Sequence, residues 1–232
     1  MKKLQKGFTL VEIAIVLVII GLLLGGILKG QEMITQAKIK NVISDFSGIS
    51  AAYHGYVDRY RFIPGDDPCA GTTTAACPGG AGKAGRWATA SASGNGNGQV
   101  EGVYNSTTST DESRLWWEHL RLAGFVAGTG GNQPFNAVTG MIGVQTGDGG
   151  SPIGPTLKDA NGNGFVGLII CSANLPDKIA IAVDTQMDDG VINTGTLRGQ
   201  LQTAPNPGIV ATAPTTNYAE TGTNVYSICR AL

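Results

Sequence analysis

Glu12 is the one acidic side chain in a stretch, residues 10–28, otherwise built from Leu, Ile, Val, Ala and Gly. A carboxylate at the edge of a hydrocarbon core is costly unless a cation pairs with it. Upstream stand Lys2, Lys3 and Lys6, then Gly7 and Phe8. Four cysteines follow, Cys69, Cys77, Cys171 and Cys229. An even count outside the cytoplasm points to two disulfides. Three connectivities are open, and we favour a local staple, Cys69–Cys77, with Cys171–Cys229 clamping the carboxy terminus. No C-x-x-C spacing suits zinc, and His54 and His119 are the only histidines.

Asp159, Asn161 and Asn163 alternate oxygen-bearing side chains ahead of Gly164, the first half of an EF-hand-type calcium loop. The twelfth position, where a glutamate would complete the ligand set, is Ile170. Ser93, Asn95 and Asn97 repeat the spacing with serine first. Asn-Gly pairs are equally good turn formers, so calcium is the one cofactor suggested and none is certain. Asp184, Asp188 and Asp189 read as a helix end and a solvated turn. The chain contains no G-x-S-x-G, H-E-x-x-H or P-loop pattern, and nothing recommends an enzyme.

The elements that position these groups begin with residues 8–28. About 21 apolar residues reach roughly 30 Å as a helix, the thickness of a bilayer core. The leader lysines place the amino terminus in the cytoplasm and the rest of the chain across the membrane. A secretory signal peptide would close its apolar run with an A-x-A cleavage site, which is missing here. A plain anchor fits the length but leaves Gly7, Phe8 and Glu12 unexplained.

Lys6-Gly7-Phe8-Thr9-Leu10-Val11-Glu12 closely resembles the cleavage and methylation motif of type IV prepilins and type II secretion pseudopilins. The resemblance implies cleavage after Gly7 by a prepilin peptidase and N-methylation of Phe8. It also implies that Glu12 pairs with the amino terminus of a neighbouring subunit during assembly. One departure is the lack of the proline that many pilins carry near Lys29. Gly21, Gly25, Gly26 and Gly30 are then the weak points of the helix.

Beyond Leu28 the helix continues. Ile34, Lys38, Val42, Phe46, Ile49, Tyr53, Val57 and Tyr60 recur at three- and four-residue steps, an amphipathic stripe. Pro64 and Gly65 stop it. Gly is frequent, 35 of 232 residues, and charged residues are 14%, which predicts long turns. Ser109 followed by Glu112 fits a capping box for a short helix. Trp116 and Trp117 on that helix read as packing residues, or else as a binding platform. Residues 165–171 form the best strand, residues 141–144 and 224–229 weaker ones, and Pro176 opens a short helix ending near Met187.

The predicted fold class is α+β. A long amino-terminal helix, apolar in its first half and amphipathic in its second, packs on a small loop-rich antiparallel-sheet head, as in pilins. The predicted divisions are a leader (residues 1–7), a transmembrane or filament-core helix (8–30) and a periplasmic head (31–232). A net charge of −1, with no basic tract beyond the leader, argues against nucleic acid as a partner. The expected function is a structural subunit of a type IV pilus or a type II secretion pseudopilus. The alternative is a minor tip pilin, or a binding or adhesion module on a pilin anchor. The implied partners are the prepilin peptidase and methyltransferase, copies of itself and other pilins, and an inner-membrane assembly platform. The implied location is the bacterial inner membrane, single-pass, with the head in the periplasm, and afterwards the filament.

Overall fold

A computed structural model describes residues 9–71, 77, 85–147, 156–159, 161–214 and 216–232. The chain divides into two compact units, Met1–Lys38 and Ile39–Leu232. One helix, α1 (Leu10–Tyr60), contributes to both. It has no proline to interrupt it, and Thr9 with Glu12 caps its start. It ends where Arg61 turns left-handed (φ 63), three residues before Pro64.

In the first unit, α1 exposes every residue from Leu10 to Lys29. In the second, one face is buried, through Ile39, Val42, Phe46, Ile49, Ala52 and Tyr56. The stripe is therefore displaced from the sequence expectation. Ile34 is 58% exposed, while Ala52 and Tyr56 are the buried positions, with Tyr53 and Tyr60 of the expected stripe partly buried against the core.

The other elements are α2 (Glu112–Leu122), β1 (Ile142–Thr146), β2 (Leu168–Pro176), α3 (Asp177–Met187), β3 (Leu197–Leu201) and β4 (Val225–Ala231). The strands form one antiparallel sheet in the order β1-β2-β4-β3. The fold is thus α+β and pilin-like, a long amino-terminal helix with a small antiparallel sheet. Strand β3 has no counterpart in the sequence reading: Leu197-Arg198-Gly199-Gln200-Leu201 lacks the β-branched residues that mark strands.

Both faces of the sheet are covered. Ile170, Leu175, Tyr226 and Ile228 share a core with α1, Trp116, Trp117 and Ile179. On the opposite face, Ile169, Cys171, Ala173 and Cys229 pack with Tyr104, Leu157, Phe165 and Ile209 from loops. The two-residue alternation along β2 sends successive side chains to the two cores. The register of β2 against β4 shifts between Ser172 and Leu175. Asn174 sits there at φ 56, and its backbone amide donates to Gln202 Oε1 at 2.6 Å while Gln202 Nε2 donates to Asn174 Oδ1 at 3.0 Å.

Cys171 and Cys229 are directly opposite on β2 and β4 and are disulfide-bonded. Cys69 and Cys77 form the second bridge.

Candidate assembly site

The chemistry at the start of α1 is local. Glu12 Oε2 accepts the Thr9 backbone amide at 2.7 Å and the Thr9 hydroxyl at 2.8 Å. The Glu12 amide donates back to Thr9 Oγ1 at 3.3 Å. This is a capping box, with Thr9 as N-cap and Glu12 three residues on. Thr9 was not singled out from sequence, although Thr9-x-x-Glu12 is a readable signal. The carboxylate also complements the positive end of the helix. Gly7 and Phe8 lie outside the described residues.

From Ile13 to Leu28 the helix surface is apolar. Leu10, Leu17, Leu22 and Leu28 are among the exposed side chains, Leu22 at 73%. An exposed apolar surface of this length needs lipid or other apolar helices to cover it. Among the described residues, α1 is the one helix long and apolar enough to cross a membrane. A Cβ added at Gly21, Gly25, Gly26 or Gly30 would meet no neighbour, so nothing in the isolated chain requires glycine there.

In the second unit, acidic side chains act as internal acceptors for a glycine-rich loop. Asp66 accepts the amides of Gly96 (2.6 Å), Asn97 (3.0 Å) and Gly98 (2.7 Å). Glu112 accepts those of Asn95 and Glu101, both at 3.0 Å. Glu118 accepts the amide and hydroxyl of Ser91. Asp67 accepts the Tyr56 hydroxyl at 2.6 Å, the Cys69 amide at 2.8 Å and the Arg86 guanidinium. Burial pushes Glu112 up to about 7 and raises Asp66, against the pull of the amides.

His119 is fully buried. Its Nδ1 accepts the Gly65 amide at 3.0 Å and its Nε2 faces Ala92 O at 3.2 Å, an arrangement for a neutral ring protonated at Nε2. Desolvation lowers its pKa accordingly. Sequence reasoning saw Glu112 as half of a capping box with Ser109. Instead α2 begins at Glu112 with Asp111 as N-cap, and the Glu112 carboxylate reaches back to the loop.

Trp116 and Trp117 are fully buried, edge-to-face at 4.9 Å. They form part of the core, which removes them as a binding platform.

In the other candidate loop, Asp159 Oδ1 accepts the amides of Asn161 and Asn163, both at 2.8 Å, and Asn163 Nδ2 donates to Oδ2 at 3.3 Å. Ile170 is buried in β2. The oxygens of Asp184, Asp188 and Asp189 lie within 4.8 Å of one another. Asp184 accepts the Gly190 amide and the Tyr218 hydroxyl, and Asp188 the amides of Thr196 and Leu197. Asp189 accepts the Val191 amide and the Thr194 hydroxyl. Burial pushes Asp184 up to about 6. This trio closes the turn between α3 and β3.

An apolar helix with a capped acidic start, in a chain with a disulfide-bonded α+β unit, fits a membrane-anchored pilin-like protein. Residues 2–28 match the family described as the prokaryotic N-terminal methylation motif, the prepilin signature of type IV pilins and pseudopilins. No curated protein and no solved structure matches the chain. The motif supports a pilin-like or pseudopilin structural subunit, and implies processing by a prepilin peptidase and assembly with other pilins.

Proposed function

We propose that the chain is a structural subunit of a type IV pilus or type II secretion pseudopilus, cut after Gly7, methylated on Phe8 and polymerised through α1. The precursor waits in the inner membrane as a single-pass protein, amino terminus in the cytoplasm and residues 31–232 in the periplasm. The methylation motif at residues 2–28, which runs into an exposed apolar helix, carries this reading. In it, residues 8–30 exchange lipid for copies of the same helix. Glu12 exchanges its bonds to Thr9 for the amino terminus of a neighbour, which compensates the buried carboxylate.

The test is the intact mass and amino-terminal sequence of the protein from its native membrane fraction. A chain beginning at N-methyl-Phe8 is expected, and one beginning at Met1 sinks the reading. Whether the filament is a pilus or a secretion pseudopilus follows from where it is found, outside the cell or confined to the envelope.

Calcium at Asp159, Asn161 and Asn163 is a separate proposal. The ion would have to share the Asp159 carboxylate with its own loop amides. A rise in the melting temperature on adding calcium, lost in Asp159→Ala, supports it, and no shift rejects it.

A further inference from the structure

Four Asn-Gly steps occur in this chain, at Asn95, Asn97, Asn161 and Asn163. Asn-Gly is the dipeptide in which the following amide nitrogen most easily reaches the side-chain carbonyl carbon, because glycine has no Cβ to obstruct the approach. The nitrogen forms a bond to Cγ and loses its proton to solvent. The bond from Cγ to the side-chain nitrogen breaks and ammonia leaves. Water then opens the succinimide at either carbonyl, giving aspartate or isoaspartate.

The structure treats the four steps differently. At Asn95 and Asn97 the attacking nitrogens are held. Gly96 N donates to Asp66 Oδ1 at 2.6 Å and Gly98 N to Asp66 Oδ2 at 2.7 Å. Both target amides are held too: Asn95 Nδ2 and Asn97 Nδ2 donate to Glu101 Oε1, and their Oδ1 atoms accept the amides of Asn97 and Gln99. At Asn161, among the described residues, only the nitrogen is held, with Gly162 N donating to Asp159 O at 3.0 Å. Asn163 is exposed, its Nδ2 makes one 3.3 Å contact to Asp159, and among the described residues Gly164 N has no acceptor.

We infer that Asn163 is a site of spontaneous deamidation, and that the Asp66 carboxylate protects the chemically equivalent steps at Asn95 and Asn97. Reaction at the protected steps requires the loop to open and surrender charge-assisted hydrogen bonds. The new carboxylate at position 163 would stand beside Asp159 and would follow the age of the molecule.

The full chain in detergent would be incubated in mildly alkaline heavy-oxygen water, with a parallel sample reduced and unfolded in guanidinium chloride. Peptide mapping then follows conversion at each asparagine. In the folded chain Asn163 should convert at least about tenfold faster than Asn95 or Asn97, the scale of losing one charge-assisted hydrogen bond. In the unfolded chain the rates should converge. Equal rates in the folded chain overturn the inference, as does the same ordering after unfolding, which would place the cause in the local sequence. Asp66→Asn should accelerate Asn95 and Asn97 and leave Asn163 unchanged, and the wild-type comparison stands even where that variant folds poorly.

Discussion

Glu12 and Glu112 are satisfied by backbone amides in opposite settings. Glu12 is exposed and its partner Thr9 is three residues away. Glu112 is buried, and its partners come from a loop 11 and 17 residues distant. Its pKa, raised from 4.5 to about 7, means the folded chain keeps a proton that the unfolded chain has lost. The stability from that proton is complete below about 4.5 and is lost as pH rises through about 7. His119 has the opposite sign: its lowered pKa removes stability as pH falls below 6.5. Glu112→Gln should therefore flatten the fall in melting temperature between pH 4.5 and 7. It also sets an NH2 group against a backbone donor, costing about 1–3 kcal/mol at neutral pH by chemical denaturation. Gly65 has φ +86, and a Cβ there would strike the Glu112 carbonyl. Gly65→Ala should cost about 2–4 kcal/mol in the same measurement, from strain plus displacement of α2.

At the level of elements, the two disulfides do different work. Cys171–Cys229 spans 58 residues and joins neighbouring strands at the centre of the sheet, whereas Cys69–Cys77 spans 8. Chain entropy makes the first worth about 4 kcal/mol and the second about 2.5. Replacing Cys171 and Cys229 with alanine should lower the unfolding free energy more than replacing Cys69 and Cys77, as read from guanidinium titrations of the full chain. Equal losses would show that native-state packing, and not loop closure, governs the effect. Helix α2 presents Glu112, Glu118 and His119 to one glycine-rich loop and Trp116 and Trp117 to the core. It organises a segment that has no strand or helix of its own between residues 85 and 101.

For the molecule as a whole, the charge proposed to act in assembly is separable from the charges buried in the second unit. Glu12 hydrogen-bonds only to Thr9 among the described residues. Glu12→Ala should leave the melting temperature of the detergent-solubilised chain unchanged, since losing one cap frays only the end of α1, at about 1 kcal/mol. The same substitution should abolish filament incorporation, scored by sedimentation or electron microscopy. Normal incorporation would remove Glu12 from the assembly proposal.

Local and periodic signals carried much of this protein. The apolar run, the motif around Gly7 to Glu12, the stop at Pro64 and the strand expected at residues 165–171, observed three residues later at its start as Leu168–Pro176, depend on near neighbours in the chain, and near neighbours are what a sequence displays. The partners of Asp66, Glu112 and His119 lie 11 to 54 positions away, and the buried stripe of α1 and strand β3 likewise depend on residues distant in the chain. Leu197–Leu201 is a strand because β4 offers it an edge, not because its residues favour extension. Glu112 reads as a helix cap from its neighbours, yet burial against the glycine-rich loop gives its carboxylate amides that no local spacing reveals.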